Sequence, residues 1–234
     1  MFQPGQNLHS SSLRGVASSG SVEVANARRS LELMSLMKKY NIALEFSDVL
    51  DGGLIIADAT RNPTNAYKVR GALASVHEAV SQDYSSVVAA SAGNHGAGVA
   101  YAAKCMGVKA LICVPLNAPK VKVEAIRDFG AEVKQDGATF DACSAMARQD
   151  KEVLAGRAKF LHAFNSEAVV AGQGTIGVEL LEHLSTVLPN SDFEKVRVFL
   201  PVGGGGLAAG ISSAMKVLWP FSNVELEIVG VVDE

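Results

Sequence analysis

From Ser85 to Val153 the sequence repeats one rhythm, a short apolar run followed by a longer stretch of helical period, and that rhythm leaves few folds open. Val87-Val88-Ala89-Ala90 and Ala110-Leu111-Ile112-Cys113-Val114 have the length and composition of buried strands. Between them, Ala97 to Met106 reads as a helix that Gly107 ends, after a loop from Ser91 to Gly96. Pro119 stands near the first turn of a helix that runs to Phe129 and stops at Gly130. Ala131 to Lys134 reads as a short strand and Thr139 to Val153 as one helix. Strands joined through helices pair in parallel, so the pattern predicts an α/β protein with parallel twisted sheets flanked by helices.

The flanks are less regular. Apolar positions from Val22 to Tyr40 recur at helical spacing and predict an amphipathic helix. Asp51-Gly52-Gly53 reads as a turn, and Leu54-Ile55-Ile56-Ala57 as a short buried strand. Arg61-Asn62-Pro63-Thr64-Asn65 is an irregular loop, in which Pro63 biases Asn62 away from helix, and Lys68 to Val80 is helical. After Phe164 to Val170, Gly172-Gln173-Gly174-Thr175 introduces a helix to about Leu184. Val196 to Leu200 is an apolar strand that runs into four glycines, a helix continues to Val217, and Val224 to Val232 is a further strand. No internal repeat or linker is visible, so a two-domain division has to be discontinuous. The expected units are a flexible arm at 1–20, a large domain from 21–85 and 163–234, and a small inserted domain at 86–162.

Composition removes several functions. A net charge of −3 gives no basic footprint for nucleic acid and no polybasic patch for a membrane surface. Nine Phe, four Tyr and one Trp are too few for a platform that stacks single-stranded bases. No apolar run is long enough to span a bilayer. Cys105, Cys113 and Cys143 lack metal-ligand spacing, and an odd, sparse count suits a reducing, cytoplasmic setting. The first 22 residues contain no Asp or Glu and are rich in Ser and Gly, which fits a disordered tail better than a transit peptide.

Three stretches carry chemistry. In Pro201-Val202-Gly203-Gly204-Gly205-Gly206-Leu207 a strand feeds four glycines and then a helix. This exposes backbone N–H groups at a positive helix end and makes an anion site, most naturally for a phosphate. A mere tight turn explains it poorly, because each glycine costs roughly 1 kcal/mol on folding relative to Ala. Gly203-x-Gly205-x-x-Ala208 also meets the loose dinucleotide pattern, with Asp233 as an approximate ribose ligand, so an oxidoreductase is a distant alternative. Ser91-Ala92-Gly93-Asn94-His95-Gly96 places a hydroxyl, an amide and an imidazole before a helix, either to bind a carboxylate or to cap that helix through Ser91 or Asn94. Lys68 sits at a loop-to-helix junction, and a lysine whose pKa is lowered there can form a Schiff base with a carbonyl compound.

With these residues in order, the sequence resembles the fold-type II family of pyridoxal-phosphate enzymes, in particular its threonine/serine dehydratase and serine racemase branch. The resemblance rests on Ala66-Tyr67-Lys68-Val69-Arg70-Gly71-Ala72, Ser91 to His95, Gly172 to Thr175 and Gly203 to Leu207, and covers roughly residues 54–234. It implies a two-domain architecture and pyridoxal 5'-phosphate as cofactor. Lys68 would form the Schiff base with the cofactor and later remove the α-proton, and Tyr67 would stand beside the cofactor ring. Asn94 would bond the phenolic oxygen, and Ser91, Gly93, Asn94 and His95 would hold the substrate carboxylate. Gly203, Gly204, Gly205, Gly206 and Leu207 would wrap the phosphate.

The implied reaction is α,β-elimination, the deamination of L-threonine or L-serine to a 2-oxo acid and ammonia. Ala92 stands where racemases of the branch carry a serine base, and Phe164 also looks dehydratase-like, so the resemblance favours the dehydratase. The sequence departs from the family at Asn65-Ala66, where Gly-Ser is usual, at Ala97, where Gln is common, and at Val232, near a metal-ligand Glu, so no metal is expected. Family members continue beyond Glu234. The expected large-domain sheet is therefore incomplete, and exposed core favours a homo-oligomer. The alternative is a short homologue that binds the cofactor or a phosphate without turnover.

Overall fold

The computed structural model describes residues 21–49 and 53–232. The expected arm at 1–20, most of the turn at Asp51-Gly52-Gly53, and Asp233 lie outside the described residues. Contacts divide the chain into two compact units, 60–169 and a flanking unit from 1–59 and 170–234. The contacts put the limits of the inserted unit at 60 and 169, where the expectation was 86 and 162. Helix α2 (Lys68–Ser81) joins the inserted unit because it packs along α3 (Asn94–Met106), with the Gly98 Cα face closed by Ala72 Cβ and the Lys68 carbonyl.

The inserted unit is a four-stranded parallel sheet in the order β5-β4-β3-β6. Its strands are β3 (Ser86–Ala90), β4 (Lys109–Val114), β5 (Glu132–Gln135) and β6 (Ala158–Leu161). Helices α3, α4 (Lys120–Asp128) and α5 (Phe140–Arg148) follow β3, β4 and β5 in turn. Alternate strand residues go to opposite faces. Ile112 is the register partner of Ala89 and meets α3 and α4 around Gly96 and Ile126. On the other face Val88, Ala90 and Cys113 pack with Cys143 and Ala147 of α5. The chain winds outward from β3 to β4 and β5 and then returns to place β6 on the other side of β3. The switch in strand order thus falls between β3 and β6.

The expected single helix from Thr139 to Val153 is two. Asp150 accepts the N–H of Glu152 at 2.9 Å and caps a new short helix, α6 (Lys151–Leu154), after α5 has ended at Arg148. Helix α3 also starts earlier than expected, at Asn94, with Gly93 as its N-cap.

In the flanking unit α1 (Val22–Lys39) matches the predicted amphipathic helix. Strands β1 (Glu45–Val49) and β2 (Leu54–Asp58) form an antiparallel hairpin; β1 was not anticipated. β2 is not buried, since Leu54 and Ile56 are 48% and 50% exposed on one face of the hairpin, while on the other face Phe46 stacks on His183 with centroids 4.2 Å apart. Helix α7 runs over Glu167–Val187, so Gly172-Gln173-Gly174-Thr175 lies inside it and does not open it. A Cβ at Gly174 would collide with Ser30 Oγ of α1 and stand 3.0 Å from the Gly210 carbonyl of α8 (Gly206–Leu218). The glycine permits the three helices to converge, and Ser30 Oγ ties α1 to α7 by donating to the Ala171 carbonyl at 2.9 Å. Strands β7 (Lys195–Pro201) and β8 (Glu225–Val231) pair in parallel, and Phe199 is 66% exposed on this two-stranded sheet.

Candidate active site

Within the inserted unit, the loops that leave the carboxyl ends of β3 and β6 emerge side by side, where the strand order switches. In open parallel sheets this is the place where ligands bind. After β3, the Ser91 N–H donates to the Cys113 carbonyl at 3.0 Å, and Ser91 Oγ accepts the Gly93 N–H at 3.1 Å. The chain then turns into α3 so tightly that a Cβ on Gly96 would collide with the Ser91 carbonyl. No side chain caps α3. Capping by Ser91 or Asn94 is therefore not what the loop does, and the first turn of α3 keeps N–H groups that no side chain satisfies.

His95, in that first turn, is only 3% exposed. Its ring hydrogen-bonds the backbone of Leu161 at the end of β6, and Nε2 has no partner. Burial pushes its pKa down to about 4, against the Leu161 bond that raises it, with smaller lowering from the charge of Lys68 and from His162. His95 is therefore a neutral imidazole with a free nitrogen, close enough to Lys68 to feel its charge.

Lys68 is the first residue of α2. Its amine lies 5.5 Å from the centroid of the Tyr67 ring. Burial lowers its pKa, and the positive end of α2 disfavours a cation in the same sense. The same burial raises the Tyr67 phenol. The loop before Lys68 closes through the Asn65 N–H on the Asn62 carbonyl, 2.7 Å, with Asn65 at φ 52°. Asn tolerates that left-handed conformation better than most residues, so Asn65 serves where glycine is usual. Asn62 is 2% exposed, yet neither atom of its amide has a partner, and the Thr64 hydroxyl has none either. Buried polar groups left without partners are costly, and here they sit on the loop that delivers Lys68. Sequence reasoning treated Asn62 and Thr64 only as irregular loop and gave His162 no role.

In the flanking unit, β7 leads through Val202 into the glycine run. Gly205 is the N-cap of α8, at φ +83°, and no side chain caps this helix. The region around Cβ positions on Gly203 and Gly205 is open to 4 Å, and Gly203 and Gly204 are exposed. An uncapped helix start after an open glycine turn, with Gly206 itself buried, has the form that suits an anion.

Fold and sites together define a parallel α/β protein with an activated lysine and a strand–glycine–helix anion cradle. Each unit by itself carries a part that suits pyridoxal phosphate: in the inserted unit an amine whose pKa burial lowers, for its aldehyde, and in the flanking unit uncapped N–H groups at a helix start, for its phosphate. The profile of the family described as pyridoxal-phosphate dependent enzyme matches residues 43–234, and the chain belongs to that family. Among its relatives, a biosynthetic L-threonine dehydratase of Pasteurella multocida is 43% identical over 188 residues, covering 80% of this chain and 34% of the relative. An L-threonine ammonia-lyase of Thermotoga maritima is 37% identical over 213 residues, covering 91% of this chain and 50% of the relative. Among solved structures, the processed form of threonine deaminase isoform 2 from Solanum lycopersicum superposes with a TM-score of 0.75 at 30% identity, covering 92% of this chain and 57% of that one. The chain thus spans between a third and a half of the length of these two dehydratase relatives.

Proposed function

We propose that the chain performs pyridoxal-phosphate-dependent α,β-elimination on L-threonine or L-serine, releasing a 2-oxo acid and ammonia. The observation that carries this reading is the Lys68 amine, lowered in pKa at a helix start, with a neutral His95 near enough to feel its charge and carrying an Nε2 without a partner. When bound, pyridoxal phosphate supplies an electron sink for the electrons left on Cα after proton loss. Lys68 would hold the cofactor's carbonyl carbon and, once displaced by the substrate amine, take the α-proton on Nζ. The uncapped N–H groups of Asn94 and His95, with Ser91 and Gly93, would bind the substrate carboxylate. The Asn94 amide would donate to the phenolic oxygen, and Gly203–Leu207 would bind the phosphate.

A second reading, a homologue that binds the cofactor without turnover, is favoured by Ala66. This residue is buried just before Tyr67 and lacks the hydroxyl of the family's usual serine. A homo-oligomer is supported by the apolar surface of the β7–β8 sheet at Phe199 and Val231. The sparse free thiols support a cytoplasmic setting. No helix among the described residues is long and apolar enough to cross a membrane. The test is to add pyridoxal phosphate and reduce with borohydride. Absorbance trapped on the peptide containing Lys68, with 2-oxo acid formed from threonine or serine, supports the enzyme. Trapping without product selects the second reading, and no trapping removes both.

A further inference from the structure

His162 is the first residue after β6, and β6 pairs with β3 through Leu161 opposite Ala89. The segment His162–Asn165 therefore leaves the sheet beside the Ser91–His95 loop, on the other side of the strand-order switch. His162 Nδ1 accepts the N–H of Asn165 at 3.1 Å and that of Phe164 at 3.4 Å. A ring nitrogen that accepts is unprotonated, which puts the hydrogen on Nε2. Phe164 lies edge-on against the same ring, with centroids 4.7 Å apart. The chain next enters α7, where Ser166 Oγ accepts the Val169 N–H at 3.2 Å. One imidazole thus holds two consecutive amides and an aromatic ring at the end of β6.

We propose that His162 is a positioning residue of the lysine site, whose Nδ1 clamps the turn at 163–165 so that the turn forms the wall of the site on the β6 side. The assignment of that wall to an amino-acid substrate rests on the function proposed above; the clamp itself does not. Burial, and after it the charge of Arg148 on α5, keeps His162 below its ordinary pKa and so in the accepting form. His95 on α3 is the other titratable group that interacts with it, and His95 in turn feels Lys68 on α2; Glu167 stands five residues further on, in the first turn of α7. Protonation at Nδ1 would remove both bonds together, because an imidazolium has no acceptor.

Asparagine separates clamping from bulk. Its Oδ1 is attached to Cγ as Nδ1 is, and it accepts the same two following amides in turns without titrating. Amide exchange of Phe164 and Asn165 is measured in the 234-residue chain at pH 7.5 and pH 5. In the parent, protection corrected for the intrinsic rate should fall ~10-fold at the lower pH, the equivalent of about 1.4 kcal/mol. His162→Ala should lack the protection at both values, and His162→Asn should keep it at both. With threonine as substrate, His162→Ala should raise KM ~10-fold with a smaller change in kcat, and His162→Asn should restore KM and remove the acid limb of kcat/KM that the clamp contributes. Equal protection in parent and His162→Ala overturns the clamp. Normal KM in an unprotected His162→Ala overturns its role at the site. A parent that turns over no amino acid defeats the proposed function, while the exchange measurement still decides the clamp.

Discussion

The hydroxyl of Ser30 on α1 and the Cα of Gly174 on α7 lie so close that no Cβ fits between them, and the same hydroxyl donates to the Ala171 carbonyl at 2.9 Å. In an ordinary helix Gly→Ala stabilises by about 0.8–1 kcal/mol. Here Gly174→Ala should destabilise by about 1–3 kcal/mol, because the added methyl also crowds the Gly210 carbonyl. Ser30→Ala in the same chain should recover part of that loss, giving a favourable coupling in a double-mutant cycle. Urea midpoints of the four chains check this.

The left-handed turn before Lys68 gives a second expectation. Asn65 has φ 52° and an exposed side chain. Asn65→Gly should be close to neutral, whereas Asn65→Val should cost about 1–2 kcal/mol and weaken pyridoxal phosphate binding by displacing Lys68. Unfolding curves and cofactor titrations of the two variants should diverge accordingly.

Acid should destabilise the inserted unit through His95. Its folded pKa of about 4 lies below the ordinary 6.5, so the neutral ring is the one the fold favours. Its contribution to stability is complete above pH 6.5 and is lost as the pH falls toward 4. The separation of these pKa values, at about 1.4 kcal/mol per pH unit, sets the loss at roughly 3 kcal/mol. Stability measured from pH 7.5 to 4 should show this fall in the parent and a shallower one in His95→Gln.

Lys68→Met tests the same pair from the other side. It should abolish borohydride-trapped adduct and any deamination. Because the Lys68 charge lowers the His95 pKa, the variant should also raise it, which a proton NMR titration of the His95 ring detects without cofactor.

The glycine cradle divides by conformation. Gly205 has φ +83° and Gly203 does not lie in the left-handed region, while space is open around both. Gly205→Ala should cost about 1–2 kcal/mol from backbone strain, and Gly203→Ala should leave folding within about 0.5 kcal/mol. Phosphate affinity, followed by cofactor titration, should fall more for Gly205→Ala.

Local chemistry was legible in the residues wherever a single element decided it. The apolar period placed α1, β3 and β4. Gly107 ended α3 in the left-handed conformation, and the strand–glycine–helix run marked the anion cradle. Reading failed where the reason lay in another element. Gly172 to Thr175 looked like a helix opening, because the neighbours that require Gly174, Ser30 and Gly210, are remote in sequence. Leu54-Ile55-Ile56-Ala57 looked buried, because apolar residues in a run do not reveal that the hairpin face carrying Leu54 and Ile56 is left exposed. Asp150 looked like a helix interior residue until its side chain was seen to accept the Glu152 N–H.

Lys68 stands at the junction of both kinds of knowledge. The sequence by itself determined which residue types are available, an amine at a helix start, an Asn- and His-bearing loop after a strand and a run of glycines, because motif order and spacing are written along the chain. Only the tertiary structure decided that His95 is buried with Nε2 unpartnered, that Lys68 is near enough to lower its pKa, and that His162 emerges on the strand beside the His95 loop. Burial and strand order set those properties, since a pKa depends on lost water and neighbouring charge, and the neighbour of a strand end depends on which strand the chain returns to.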